Sequence, residues 1–229
     1  MQAVILAGGK GTRLLSLTEN IPKALVDVNG KSVLEHILDE SQGAGVKEVV
    51  IVVNHLKEKI IEQIGAAYKG MSVRYAVQES LKGDADALKC ADPYISDDNF
   101  FVIACDSLFR GDHLKKISER NSDGVMTVYR AKHPENHGVI LHDGQYIQRI
   151  FEKSSEPPSN LANNSIYYFP RAIFDACNRI SPGHKGEFKI VDAIQLLIDE
   201  GKQFTFEEIA EYYDVGTLDS LAYARAHWN

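Results

Sequence analysis

The residues best suited to chemistry lie near the start of the chain, where the apolar run Ala3–Ala7 breaks into Gly8-Gly9-Lys10-Gly11-Thr12-Arg13-Leu14. Glycines placed directly after a strand let backbone N–H groups approach a phosphate without Cβ obstruction, and a neighbouring Lys or Arg supplies charge. Two better-known phosphate loops do not fit. The Walker pattern fails because Lys10 is followed by Gly11 and no glycine sits at the required offset. The dinucleotide fingerprint is met by Gly9 and Gly11 but has Leu14 in its third glycine position. Further on, Pro22 stiffens the backbone just before Lys23, which limits how far that ammonium group wanders. A bare Gly-x-Gly also describes an ordinary strand-to-loop turn, so phosphate binding is an expectation that needs support from elsewhere in the chain.

An acid supplies part of that support. Asn99–Ala104 is apolar enough to be a buried strand, and Cys105-Asp106 follows it. Ligands gather at the C-terminal ends of strands in open α/β sheets, and a hard oxygen donor there suits Mg²⁺ carried by a triphosphate. Other combinations are weaker. Asp84-Ala85-Asp86 has the Asp-x-Asp spacing of glycosyltransferases but opens a helix rather than ending a strand. His133 and His137 have helical metal spacing, but Pro134 intervenes and further ligands are missing, so zinc is not expected. Cys90, Cys105 and Cys177 are odd in number with no C-x-x-C pair, which fits free thiols and a cytoplasmic location. No histidine is placed by a recognisable motif to activate Cys105.

These residues need a scaffold, and the chain has the composition for one. It has 229 residues, 44% hydrophobic and 25% charged, so a single domain spanning 1–229 with its own core is expected. Lys plus Arg is 25 against 32 for Asp plus Glu, a net −7. With no basic run, nucleic-acid binding is not expected. Ala3–Ala7, the longest strongly apolar run, is too short to span a bilayer, and the opening residues read as a strand rather than a signal peptide.

Strand-like and helix-like stretches alternate through the first half. The β-branched run Lys47–Val53 lacks alternation and reads as a strand buried on both faces. Ser72–Val77 and Asn99–Ala104 are further strands. Helical spacing marks Ser32–Gln42, with Ser32 as N-cap and Glu35 three residues on, and also His55–Gly65, Asp84–Ala91 and His113–Arg120. This alternation predicts right-handed βαβ units in a largely parallel sheet. After Arg130 the texture changes. Gly138–His142 and Gln145–Phe151 read as a hairpin, Ser165–Phe169 as a strand, Pro170 as the opening of the next helix, and Lys189–Glu200 and Leu218–His227 as helices. The halves are 1–130 and 131–229.

Taken together, Leu6-Ala7-Gly8-Gly9-Lys10-Gly11-Thr12-Arg13-Leu14-Leu15-Ser16-Leu17-Thr18 and then Pro22-Lys23 resemble the signature of the sugar-1-phosphate nucleotidyltransferases, which join a nucleoside triphosphate to a sugar 1-phosphate and release pyrophosphate. The family usually has Pro where this chain has Ser16, a departure expected to loosen the loop slightly. The resemblance covers the chain from Ala3 to about Ala226. It implies a single Rossmann-like α/β domain with a mixed, mostly parallel sheet and an antiparallel sugar-binding half. The form expected is the short one, without the left-handed β-helix of some relatives.

Site residues follow from the same resemblance. Leu6, Ala7, Gly8, Gly9, Gly11, Thr12 and Arg13 would bind nucleotide, with Arg13 on the triphosphate and Lys23 at the reacting phosphates. Gln78 and Gly83 would read the base; a side-chain amide suits an imide edge, so UTP or dTTP is preferred, with CTP and GTP open. Asp106 and Asp214, the latter in Tyr213-Asp214-Val215-Gly216-Thr217, would hold Mg²⁺, although Cys105 replaces a usual Gly. Gly138, Glu152, Lys153 and Asn163 would bind the sugar phosphate, although Asn163-Asn164-Ser165 departs from the usual Asn-Ala-Gly. The alternatives are a cytidylyl- or guanylyltransferase acting on another phosphorylated substrate, a glycosyltransferase, or a catalytically silent nucleotide-sugar sensor. The expected partners are a nucleoside triphosphate and a sugar 1-phosphate, and the protein would be a monomer or homodimer.

Overall fold

The computed structural model of the chain describes residues 1–183 and 186–228, with the side chains of Leu15 and Ser16 outside the description; the expected effect of Ser16 therefore lies outside the described residues. In the first half the strands are β1 (Gln2–Leu6), β2 (Asp27–Val28), β3 (Lys31–Ser32), β4 (Glu48–Val53), β5 (Ala67–Tyr68), β6 (Met71–Val77), β7 (Asn99–Ala104), β8 (Ser107–Phe109) and β9 (Gly124–Arg130). Between them run α1 (Val33–Gly43), α2 (Lys57–Ile64), α3 (Asp84–Lys89) and α4 (Gly111–Ser118). The second half adds β10 (Gly138–Asp143), β11 (Tyr146–Glu152), β12 (Leu161–Pro170), α5 (Ala172–Arg179), α6 (Ile190–Asp199), β13 (Phe204–Glu208), β14 (Tyr212–Asp214) and α7 (Leu218–His227).

Ten strands form one sheet in the order β10-β11-β13-β9-β12-β7-β1-β4-β6-β5. Its parallel core, β7-β1-β4-β6, comes from the first half. The sheet is mixed because β12 enters antiparallel between β7 and β9. Alternation along β1 explains the layering: Ala3 and Ile5 face α1, α2, α4 and α7, while Val4 faces α3, α5 and α6. Burial on both faces is why β4 reads Glu-Val-Val-Ile-Val-Val.

Several local expectations hold in detail. Ser32 caps α1 by accepting from the Glu35 N–H at 3.2 Å, and Glu35 returns a carboxylate oxygen to the Ser32 N–H at 2.9 Å. The hairpin pairs Asp143 with Tyr146. Two expectations need correction. The strand predicted at Ser165–Phe169 starts at Leu161, with a break in register between Asn163 and Tyr167 where Ser165 adopts φ 60°. Pro170 ends that strand, opposite Asn99 on β7, and the helix begins two residues later at Ala172.

Candidate active site

The glycine loop leaves β1 with the Ala7 N–H donating to Val52 of β4 at 2.9 Å. Gly11 then takes φ 65°, a left-handed conformation that L side chains enter at a cost. A Cβ there would lie 3.0 Å from the Cβ of Lys23 and 3.0 Å from Cγ2 of Thr18. The turn is therefore packed directly against Lys23. Lys23 opens a single 3₁₀ turn behind Pro22, closed by the Leu25 N–H donating to Pro22 at 2.8 Å. Lys23, Leu6, Ala7 and Gly9 line a small niche whose far wall is Cys105 and Asp106. Gly11 and Thr12 stand apart from this niche, Gly11 packed against Lys23 and Thr18.

Asp106 leaves the end of β7, and Asp214 arrives on β14. The short strands β8 and β14 pair antiparallel, with Asp214 opposite Ser107, and the Val215 N–H donates to the Asp106 carbonyl at 2.9 Å. Both acids line a cavity of ≈ 430 Å³ together with Arg13 and Tyr212. Gly216 admits the group: a Cβ there would lie 3.1 Å from the Arg13 guanidinium and 3.0 Å from the Asp214 carboxylate. Tyr212, tilted by 52° against Tyr129 with ring centroids 4.7 Å apart, lines the cavity together with Tyr129, whereas Tyr213 packs against Trp228. Two hard carboxylates with open space beside them fit Mg²⁺, which takes one or two protein carboxylates and completes its shell with phosphates and water. Among the described residues, no group of three or more His, Cys, Asp or Glu is poised for a metal.

On the other side of Asp106 lies a cavity of ≈ 360 Å³ lined by Leu6, Gly8, Gly9, Gln78 and Gly83. Gln78 is only 3% exposed. Its amide nitrogen donates to the Gly83 carbonyl at 3.1 Å and to the Asp86 carboxylate at 2.9 Å. Both partners only accept, so they fix the amide with its oxygen outward, 3.6 Å from where a Cβ of Gly8 would be. The neighbouring Asp84 turns away, accepting from the Ile190 N–H at 2.8 Å. The two carboxylates of the Asp-x-Asp spacing therefore diverge, against the glycosyltransferase reading. Asp84 is pushed up to about 6 by desolvation, partly offset by the N–H donors of Ile190 and Ala85 and by Lys189.

A third cavity, of ≈ 350 Å³, shares Gly83, Asp84 and Glu187 with the second and adds Gly138, Glu152, Asn163 and Lys189. Gly138 leaves room for Glu152, whose carboxylate would sit 2.6 Å from a Cβ at that position. Asn163 lines the cavity, but both ends of its amide are engaged: Nδ2 donates to Tyr167 at 2.6 Å and Oδ1 accepts from the Ser165 N–H at 2.9 Å. It braces the left-handed turn at Ser165, the place where the resembling family has Gly. Lys153 does not join the group. Its backbone turns at φ 49°, its N–H donates to His137, and its exposed side chain lines none of these cavities. Sequence reasoning missed Lys189, which bonds Glu152 at 2.7 Å; a lone lysine before an apolar helix carries no local signal.

Cys105 is buried, and desolvation pushes its thiol up to about 12, against the thiolate form that a nucleophile requires. The glycine turn on the parallel sheet thus lies beside Asp106, which lines both the cavity that holds Gln78 and the one it shares with Asp214 and Arg13. The chain belongs to the nucleotidyl transferase family, which it matches over residues 2–229.

Among its relatives is the UTP–glucose-1-phosphate uridylyltransferase AglF of Haloferax volcanii, 40% identical over 208 residues, which cover 88% of this chain and 85% of that protein. A glucose-1-phosphate thymidylyltransferase of Streptomyces griseus is 32% identical over 227 residues, covering 96% of this chain but 64% of that protein. The fold matches a UDP-glucose pyrophosphorylase crystallised with UDP-glucose at a TM-score of 0.90 and 22% identity, over 99% of this chain and 97% of that one. No described helix is long and apolar enough to cross a membrane.

Proposed function

We propose that the protein transfers a nucleoside monophosphate from UTP or dTTP to a sugar 1-phosphate, releasing pyrophosphate and forming a nucleoside diphosphate sugar. The observation that carries this reading is the convergence of Arg13, Asp106 and Asp214 on one cavity, with Lys23 facing Asp106 from the adjoining niche.

A phosphate oxygen of the sugar 1-phosphate attacks the α-phosphorus in line, and the bond from that phosphorus to the β-phosphate oxygen breaks. The nucleophile is already an anion, so no activated side chain is needed, consistent with a protonated Cys105. The protein's task is to hold two polyanions together and offset their charge. Lys23 neutralises the phosphates at the reacting centre and Arg13 the departing pyrophosphate. Asp106 and Asp214 would hold Mg²⁺, which when bound supplies charge neutralisation at the phosphate oxygens. The outward oxygen of Gln78 accepts the N–H of a uracil or thymine imide; cytosine presents an unprotonated nitrogen at that position. Glu152 accepts from sugar hydroxyls.

Pyrophosphate release from a panel of triphosphates and sugar 1-phosphates tests this. Turnover is expected with UTP or dTTP and a hexose 1-phosphate, and only with a divalent cation present. Release of nucleoside diphosphate from a nucleotide sugar, or no pyrophosphate from any pair, would sink it.

A further inference from the structure

The sugar-side cavity contains an ion pair of which the proposed reaction uses only the carboxylate. The Nζ of Lys189 donates to Oε1 of Glu152 at 2.7 Å, and the other oxygen of that carboxylate lies against the open face of Gly138. The side chains are 24% and 35% exposed and both line the cavity. An ion pair on a convex surface contributes little. Here one partner is the carboxylate expected to meet the sugar, so its orientation matters more than its energy.

Lys189 is itself anchored from the opposite side. The Phe188 N–H donates to Lys82 at 2.7 Å, the Ala85 N–H to Phe188 at 3.1 Å and the Ile190 N–H to Asp84 at 2.8 Å. Gly83 makes this approach possible, since a Cβ there would stand 2.2 Å from the Phe188 carbonyl oxygen. Asp84, Glu152 and Glu187 line the cavity with Lys189. Without the ammonium group, Glu152 would lose its ion-pair partner in a cavity that Asp84 and Glu187 also line, and would turn toward water.

We propose that Lys189 is a positioning residue for the sugar site: it fixes the Glu152 carboxylate beside Gly138, and so sets the fit to the sugar ring. This rests on the function proposed above, since it takes that cavity as the one that holds the sugar.

Binding of UDP and of UDP-glucose, measured by calorimetry, separates the two claims. They share the nucleotide and differ in the sugar. Lys189→Met should weaken UDP-glucose about tenfold and leave UDP unchanged, and Lys189→Arg should restore most of the loss. In a double-mutant cycle, Lys189→Met added to Glu152→Ala should cost nothing further, because its effect runs through Glu152. Equal weakening of both ligands, no weakening of either, or full additivity with Glu152→Ala overturns the inference. Where the wild type forms nucleotide sugar and the variants show any of these results, the inference alone is overturned. A wild-type protein that releases no pyrophosphate from any triphosphate and sugar 1-phosphate overturns both claims.

Discussion

The backbone N–H of Val215 donates to the carbonyl of Asp106 at 2.9 Å, tying the end of a central strand to a segment more than a hundred positions later. That bond, with the pairing of Asp214 and Ser107, places two acids at one cavity. Asp106→Asn and Asp214→Asn should each lower kcat by ~10²–10³, the usual cost of one lost transition-state charge contact. Melting temperature should barely move, since these side chains face open space. Either variant keeping most of its pyrophosphate release would remove that acid from the machinery.

Asp86 is one of the two acceptors that hold the Gln78 amide nitrogen. Asp86→Asn keeps the shape but offers a donor as well as an acceptor, which leaves the Gly83 carbonyl as the remaining group that orients the amide. The kcat/KM ratio of UTP to CTP should fall by about tenfold, equivalent to ~1.4 kcal/mol. An unchanged ratio would mean that Asp86 does not set how this amide reads the base.

Gly11→Ala forces a side chain into the left-handed region at roughly 1–2 kcal/mol and presses on Lys23. A melting temperature lower by ~2–8 °C is expected for a chain of this size, with a fall in kcat. Gly9→Ala is the control, because a Cβ there meets nothing within 4 Å; its melting temperature should match the wild type. Equal melting of all three proteins would contradict the packing described.

His113 is 5% exposed, and its ring nitrogen lies 2.8 Å from Thr127 Oγ1. Burial lowers it to about 4 from the ordinary 6.5. Below 6.5 the unfolded chain takes up a proton that the folded one refuses, so stability falls as pH drops from 6.5 toward 4, by up to about 3 kcal/mol. Urea unfolding of wild type and His113→Gln across that window checks this. The variant should show the shallower slope, and identical slopes would exclude His113 as the source.

Much of this was legible in residue order because long elements announce themselves. The β-branched stretch Glu48–Val53, the Ser32–Glu35 cap and the acid ending Asn99–Ala104 each state their role locally. The short strands Ser107–Phe109 and Tyr212–Asp214 do not, since three residues carry no periodicity, yet they bring the two acids together. The extent of β12 was hidden for another reason: Ser165 adopts φ 60° inside the strand and the register breaks between Asn163 and Tyr167, so no regular alternation runs through it. Lys153 and Glu152, adjacent in sequence, are placed differently. Glu152 reaches the cleft, while the left-handed backbone at Lys153 leaves its own side chain outside.

The clasp of Lys82–Ala85 on Phe188–Ile190 bears on how such enzymes can be recombined. A chimaera that took its carboxy-terminal portion from a relative with another sugar preference would inherit a foreign partner for Gly83 and Asp84, whose fit leaves no space for an added methyl group. Exchange of the two portions as independent modules should therefore fail unless the short segment around Gly83 travels with its counterpart.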